Sequence, residues 1–550
     1  MTIARKGKNL VITFGYDAYI VSLVGSIPGR AYDKKTHEWK VPVSQIEDVV
    51  VKLYPLGFTV TEEVKLMYQT ELQRRAKVNR IRSGDLKESE LSLLDLTGFP
   101  FYMYQKVGTG FIAVVDSGLV GDQPGLGKTI QSLGATVVKN AKKVLIFCPV
   151  SMKKTWQEEI EKWIPGATST IVGGDVKARA KQWEQDTTYY ICNYHLLLRD
   201  VKTMKKFDWD FIIADEATTI SNPKSKTSAA LKSIPAKRRI ALTGTPLNNS
   251  VQDIWNIVDW LRPGYLGTYW QFIKEYCTQD KFGSITGYKN LQKLKDKLES
   301  LMIRRLKKDV LHELPPKTFE NVYVELSPEE RKLYTAIKQE LAGELKESGM
   351  DGKNLSKTLV KMVRLKQAAC SLELLNGVQA SAKTDALKEL LTNILWDDEK
   401  TIIFTQFREM ALLLMRDLAQ YKPLLIAGGV TQDERDANRK AFNEDNEHKI
   451  LIMTAAGGMG LNLQRASSVI HYDFPWSISA LEQREDRAHR NGQTKNVVIY
   501  NMIVQDSIDE YILKVLYKKK KVSEEVLGDN DKDAAKVVKL SRRDIQKILS

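Results

Sequence analysis

Gly121-Asp122-Gln123-Pro124-Gly125-Leu126-Gly127-Lys128-Thr129 is the stretch from which the fold of this chain can be read. A strict phosphate loop has the pattern G-x-x-x-x-G-K-[ST], and here Asp122 stands where the first glycine belongs. Gly125, Gly127, Lys128 and Thr129 remain. The glycines leave backbone N–H groups free to face phosphate oxygens. Lys128 adds a positive charge for phosphate, and Thr129 adds a hydroxyl for magnesium. Taken alone, the same residues describe an ordinary glycine turn ahead of a helix, so their surroundings must decide.

Downstream, short apolar runs alternate with amphipathic stretches, the pattern of a mostly parallel sheet covered by helices. Val144–Cys148, Tyr189–Cys192, Phe211–Ala214 and Ile240–Leu242 read as buried strands. After a charged, helix-patterned interval from about Leu261 to Lys383, a second set follows. It comprises Ile402–Phe404, Leu424–Ile426, Ile450–Met453, Val469–Tyr472 and Val497–Met502. Two sheets imply two α/β lobes, with ligands expected at the carboxyl ends of the strands. Leu314-Pro315-Pro316 breaks a helix and puts a lobe boundary shortly after it.

The first 65 residues differ from both lobes. Leu10–Phe14, the Trp39 segment and Phe58–Val60 read as strands, and Tyr16–Ile27 as an amphipathic helix. Ser44-Gln45-Ile46-Glu47 fits a capping box opening a second helix to about Tyr54. The predicted layout is a small α+β domain over 1–65, a helical connector over 66–95 and a first lobe over 96–320 with a helical insertion at about 262–315. A helical protrusion over 321–382, a second lobe over 383–515 and a basic tail over 516–550 complete it.

Composition narrows the class. The 550 residues carry 83 Lys and Arg against 68 Asp and Glu, a formal charge of +15. That balance suits a polyanionic partner, though it equally serves solubility. No apolar run approaches the roughly 20 residues that span a bilayer, and Met1–Lys6 leads into no signal-type segment, so no membrane partner is expected. Cys148, Cys192, Cys277 and Cys370 have neither zinc nor disulfide spacing and read as reduced thiols of a cytoplasmic protein.

Asp215-Glu216 follows the apolar run Phe211–Ala214. An acidic pair at a strand end, downstream of a phosphate loop, has a defined use. Asp215 holds magnesium, directly or through water, and Glu216 orients and activates the attacking water.

With these residues in hand, the chain resembles a Swi/Snf-family ATPase of helicase superfamily two, from about Phe99 to about Ile512. Tyr104-Gln105 is similar to the family's adenine-recognising glutamine motif, and Asp122–Thr129 to its D-E-x-G-L-G-K-T loop. Cys148-Pro149-Val150-Ser151, with Trp156 and Trp163 beyond it, resembles motif Ia. Leu242-Thr243-Gly244-Thr245-Pro246-Leu247 resembles motif III, and Arg304–Val310 with Leu314-Pro315 resembles the family's link between lobes. Phe404-Thr405-Gln406-Phe407, Thr454–Gln464 and Gln483–Gln493 are similar to motifs IV, V and VI. Thr218 departs from the family's histidine, which bears on coupling rather than on hydrolysis, and Gln123 replaces the family's acidic residue beside Asp122.

The resemblance implies two RecA-like lobes, ATP and Mg2+ as cofactors, and ATP hydrolysis driven by DNA. It assigns the nucleotide to Gln105, Gly125, Leu126, Gly127, Lys128, Thr129 and Gly460, and the ion to Thr129 and Asp215. Lys128, Asp215 and Glu216 carry catalysis with Arg487 and Arg490, whose spacing of three predicts one shared helix face. Such arginines neutralise charge developing on the γ-phosphate.

DNA phosphates are expected at Ser151, Lys153, Thr245, Thr405, Gln406, Thr454, Gly457 and Gly458. Trp476, which resembles the tryptophan of the family's D-x-x-W, is a further expected DNA contact, or it packs the lobe. Lys518–Lys521 is a DNA contact or a solvated helix face.

Ile27–Asp33 and Trp39–Pro42 resemble the HARP domain of the annealing-helicase branch, or belong to a generic α+β appendage. The expected function is a monomeric translocase on double-stranded or branched DNA, remodelling forks in DNA repair or replication or displacing bound proteins. Single-strand-binding or replication and recombination proteins are its expected partners. An ATP-switched nucleic-acid-binding scaffold and a motor on a stalled polymerase are the alternatives.

Overall fold

The computed structural model describes residues 1–527 apart from 96–97, 248–249, 282, 348–354, 377–380, 397–398 and 455–460. The chain divides into two compact units, Met1–Leu306 and Lys307–Val522. Each contains one all-parallel sheet with helices packed on it, a RecA-like lobe. The first unit also carries the small α+β module.

In the first lobe the strand order is Met302–Ile303, Ser117–Val120, Ala236–Leu242, Trp209–Asp215, Val144–Cys148, Tyr189–Asn193 and Ser169–Ile171. Val144–Cys148 is buried at every residue, as a parallel strand covered on both faces must be. Its neighbours match the apolar runs of the sequence to within a few residues. Met302–Ile303 escaped detection because two residues carry no periodicity. Ser117–Val120, the strand feeding the phosphate loop, is short and half glycine and serine.

The second lobe orders Lys317–Val324, Val497–Val504, Ala466–His471, Lys400–Thr405, Ile450–Thr454 and Leu424–Ile426. Lys317–Val324 runs through the boundary expected at 320 and through an interval read as helical. It pairs in parallel with all of Val497–Val504. As an edge strand it buries only Val324, so it has no apolar run to announce it. The segment expected as a protrusion contributes to this lobe's core, where Tyr334, Met362, Leu365 and Cys370 pack with Ile403 and Met410. The helix Ile508–Leu527 likewise buries Ile512 and Leu516 there, so the lobe continues into the expected tail.

A buried ion pair joins two helices of this lobe. Lys383 Nζ lies 2.5 Å from an Asp509 carboxylate oxygen, both side chains 1% exposed. Lys383→Met, which strands the Asp509 charge, is expected to destabilise the unit by about 3–5 kcal/mol in urea unfolding.

The amino-terminal module is a five-stranded sheet ordered Ala31–Asp33, Glu38–Pro42, Asn9–Thr13, Thr2–Lys6 and Thr59–Val60, with helices Ala18–Gly25 and Ile46–Leu53. Asp17 caps the first helix by accepting from the Ile20 amide at 3.0 Å. The capping box expected at Ser44 does not form. The Ser44 hydroxyl donates to the Pro263 carbonyl at 2.9 Å. The Gln45 side-chain amide donates to the carbonyls of Gly264 and Tyr265 at 2.8 and 2.6 Å. These side chains dock the module on the first lobe's insertion instead of capping their own helix. A Cβ on Gly264, at φ +75°, would sit 2.6 Å from Pro42 Cγ, so the docking requires glycine there.

Among the described residues, no helix is long and apolar enough to cross a membrane.

Candidate functional site

The carboxyl end of the first sheet gathers three loops at one level. In the strand register Leu242 aligns with Val120 on one side and Asp215 on the other. The phosphate loop, the acidic pair and Thr243-Gly244-Thr245 therefore leave the sheet side by side. Gly244 lies so close to the phosphate loop that a Cβ would come within 2.7 Å of the Pro124 ring.

In the loop, Gly125 and Gly127 adopt φ of +88° and +75°. A Cβ on Gly127 would stand 2.5 Å from the Gln105 side-chain nitrogen. Glycine thus permits the close approach of helix Met103–Val114, whose Gln105 side chain accepts from the Tyr102 amide at 3.1 Å. Leu126 turns its side chain into the core, fully buried, and its carbonyl accepts from the Gln131 side chain at 3.0 Å. Only its backbone faces the loop.

Helix Lys128–Val138 begins at the lysine itself, so its first amides lie at the positive end of the helix dipole. Lys128 Nζ donates to the carbonyls of Asp122 and Gln123 at 2.8 and 3.3 Å. Thr129 follows it, half-buried, in the first helical turn.

Asp215 ends its strand with a fully engaged carboxylate. One oxygen accepts from Trp156 Nε1 at 2.9 Å and the other from the Glu216 amide at 3.0 Å. Burial raises its pKa above the ordinary aspartate value; the Trp156 bond and the Lys128 charge act in the opposite direction. The Tyr194 hydroxyl donates to the Asp215 carbonyl at 2.6 Å. Glu216 has φ +51°, a left-handed conformation uncommon outside glycine, which turns the chain out of the strand. Thr218 lies in the short helix that follows, Ala217–Ile220.

Trp156 is the residue that sequence reasoning placed without a role. It is fully buried on helix Lys153–Trp163, which begins at Lys153; Ser151 lies in the short helix Val150–Met152 just before it. Among the described residues the Ser151 hydroxyl oxygen is buried with no hydrogen-bond partner, and Lys153 Nζ donates to the Val172 carbonyl at 3.4 Å. Thr245 is 7% exposed, and its amide donates to the Thr243 hydroxyl at 3.2 Å.

In the second unit a buried network stands behind the expected DNA contacts. Burial would raise the Asp473 pKa, but the charges of Lys366 and Arg484 and bonds from Thr405 and Gln406 bring it below the ordinary value. The Thr405 hydroxyl donates to Asp473 at 2.6 Å, so this fully buried side chain supports its neighbour rather than facing outward. The Gln406 amide donates to both Asp473 oxygens, while its side-chain oxygen accepts from Lys366. Lys366 also lies 5.5 Å from the Trp476 ring centre, and Trp476 packs against the lobe core. Nothing in the local sequence marked Lys366, because a lysine in a helical stretch reads as a solvated residue. Thr454 ends its strand 3% exposed, and among the described residues its hydroxyl oxygen has no hydrogen-bond partner. Gly457, Gly458 and Gly460 lie outside the described residues.

Arg487 and Arg490 do meet, though not on a helix face. Helix Ile478–Glu485 ends before them, and both occupy the turns that follow. Their guanidinium groups instead share one acceptor, the Leu461 carbonyl, at 3.4 and 3.2 Å. Arg484, within the helix, is spent on Asp473, donating to its carbonyl at 2.6 Å.

Residues 60–374, more than half of the chain, match the SNF2-related domain. The chain belongs to the SNF2-related family. Residues 382–492 match the helicase conserved C-terminal domain. Among SNF2-related and helicase relatives, an ATP-dependent helicase of Mycoplasma genitalium is 32% identical over 78% of this chain and 42% of its own length. A human SWI/SNF-related, matrix-associated, actin-dependent regulator of chromatin (subfamily A, member 1) is 29% identical over 77% of this chain and 43% of its own. The chain thus spans less than half the length of these two relatives.

An ATP-dependent helicase of Bacillus subtilis is 29% identical over 76% of this chain and 78% of its own. A solved structure of the Sulfolobus solfataricus SWI2/SNF2 ATPase core in complex with double-stranded DNA is 30% identical. It covers 78% of this chain and 93% of its own, with a TM-score of 0.38. Residues 1–59 lie outside both domain matches.

Proposed function

We propose that this chain is an ATP-driven motor on double-stranded DNA. It remodels branched or fork DNA, by annealing or regression, or displaces bound proteins. The observation that carries this reading is the convergence of Lys128, Asp215 and Thr245 on loops leaving one sheet at a single level.

The residues fit the cofactors. Gln105 lies against the loop where a purine edge would be read, and Gly125–Thr129 offer backbone amides and the Lys128 charge to phosphates. The Thr129 hydroxyl and the Asp215 carboxylate are oxygen donors of the kind that would hold magnesium, which would supply positive charge to the nucleotide's phosphates. Glu216 accepts the proton of the attacking water. Arg487 and Arg490 donate to the γ-phosphate oxygens as charge develops there. Trp156 keeps the Asp215 carboxylate in place. Trp156→Phe retains most of the ring volume and removes the N–H. It is expected to lower the ATP turnover rate about ten- to hundredfold, the worth of a hydrogen bond to a charged group, in steady-state assays.

Ser151, Lys153, Thr245, Gln406, Thr454 and the glycines after it are proposed to follow the DNA backbone, which positions without reading sequence. If basic residues neutralise about six phosphates, duplex affinity falls roughly 10³-fold between 50 and 200 mM salt. A flat salt titration by fluorescence anisotropy would contradict the proposal.

The amino-terminal module is the proposed reader of branched DNA. Tyr32, 45% exposed, has its ring centre 5.1 Å from that of Trp39 and 6.5 Å from that of His37. Arg30, Lys34 and Lys35 are near it in sequence, a combination of stacking faces and phosphate charge suited to unpaired bases.

The deciding experiment compares ATP turnover with duplex, single-stranded and forked DNA and with RNA, alongside triplex displacement. Strong duplex stimulation with displacement is expected. Hydrolysis without displacement would overturn translocation and favour an ATP-switched scaffold.

A further inference from the structure

The segment by which the chain leaves the first unit is tied to the phosphate loop residue by residue. The amides of Leu119, Gly121 and Gln123 donate in turn to the carbonyls of Leu301, Ile303 and Arg305, at 2.8, 2.8 and 3.1 Å. The connector Leu301–Arg305 therefore runs beside the end of strand Ser117–Val120 and on along the first half of the loop. Arg304 donates to the carbonyls of Gly121 and Gly244 at 2.6 and 3.1 Å, joining the loop to Thr243-Gly244-Thr245.

Arg305 is more deeply engaged. Its amide and Nε donate to one Asp122 carboxylate oxygen at 3.1 and 2.9 Å. One terminal nitrogen donates to the other Asp122 oxygen and, at 2.7 Å, to the Gln131 side chain; the second donates to the Tyr104 carbonyl. The Asp122 side chain is 0% exposed and that of Arg305 12%. Space for this contact depends on Gly108, where a Cβ would lie 1.8 Å from the Gln131 oxygen and 2.6 Å from Arg305. One guanidinium thus holds the helix of Gln105, the phosphate loop and the helix that follows it.

A buried ion pair that merely closed a gap would have no link to the nucleotide. Here the carbonyls that hold Lys128 Nζ belong to Asp122 and Gln123. Those are the residues that Arg305 and the connector grip. A phosphate that draws Lys128 toward itself removes the Nζ donor from both carbonyls, leaving the Gln123 carbonyl to the Leu126 amide at 3.3 Å, and so acts on the segment fixed to the connector.

We propose that Arg305 is a positioning residue of the nucleotide site, holding Asp122-Gln123 so that Lys128 can exchange their carbonyls for phosphate oxygens and linking nucleotide occupancy to the connector Leu301–Arg305. This rests on the ATP-site reading above. The chain enters the second unit at Lys307, two residues on, so the linked element is its exit from the first. The link is reciprocal: a displaced connector changes nucleotide affinity by the same factor.

The test uses the full chain, a fluorescent ATP analogue, steady-state ATP turnover and amide hydrogen exchange. Asp122→Asn with Arg305→Gln removes both charges together, so no buried charge is stranded, and the shorter glutamine gives up the guanidinium fork. It is expected to raise KM for ATP about ten- to hundredfold while kcat changes far less. It also abolishes the slowing of exchange across residues 119–123 that the analogue produces in the wild type. A folded double variant with wild-type KM and wild-type exchange response overturns the proposal.

Arg305→Lys keeps a positive charge against Asp122 but loses the planar fork, and it decides the matter if the double variant melts early. A KM about tenfold higher supports the positioning role, and an unchanged KM refutes it. Failure of the wild type to bind the analogue would refute the ATP-site reading itself, a result distinct from either.

Discussion

Arg487→Ala and Arg490→Ala are each expected to lower ATP turnover by about 10³- to 10⁵-fold while leaving nucleotide binding by the first unit in place. The γ-phosphate gathers charge only as it is transferred, so donors that meet it then lower the barrier without tightening the ground state. Both guanidinium groups converge on the Leu461 carbonyl, which keeps them together and extended from the turns after helix Ile478–Glu485. Arg484 separates the two roles that arginines play here. Only 4% exposed and bound to Asp473, it is a structural residue whose removal is expected to destabilise the lobe by leaving the buried Asp473 charge short of a partner. The check is steady-state turnover beside analogue binding and thermal melting of each variant. A drop of less than tenfold in both finger variants would refute their assignment.

Glu216→Gln is expected to reduce turnover by two to four orders of magnitude, the range of general-base catalysis, with ATP bound as tightly as by the wild type. The substitution keeps size and hydrogen-bonding geometry and removes only the capacity to accept a proton. The φ of +51° at Glu216 is common to both residues' backbones, so strain does not confound the comparison. Asp215→Asn provides the contrast. It weakens the magnesium-dependent part of binding, because its carboxylate is the proposed ion ligand. Persisting turnover in Glu216→Gln, with single-turnover rates near wild type, would place the base elsewhere.

Much of this site could be read before any coordinates. The fully apolar run Val144–Cys148 is the same strand in both descriptions, because a strand buried on both faces has no polar alternation to obscure it; Leu424–Ile426 is also found as expected, at a sheet edge with Ile426 buried. Asp215-Glu216 followed such a run, so its position at a strand end came with it. Lys317–Val324 was illegible for the opposite reason. Its stability comes from eight paired residues at an edge, and its exposed side chains carry a mixed pattern. The shared helix face assigned to Arg487 and Arg490 failed because the helix ends at Glu485, a boundary that spacing alone does not mark. Ser44 met every local criterion for a cap and still went to the Pro263 carbonyl, a tertiary partner some 220 positions away.

Local residue types set which chemical groups are present and in what order. Glycines able to take positive φ, a lysine and threonine at a helix start, an acidic pair after an apolar strand and two late arginines are all of this kind. Folding then settles which groups are spent on one another. Trp156 on Asp215, Arg305 on Asp122 and Lys366 beside Asp473 are pairings across long sequence distances. They arise because a charge carried into a folded interior must find a partner there. Local sequence names each charge, and only the packed chain names its partner.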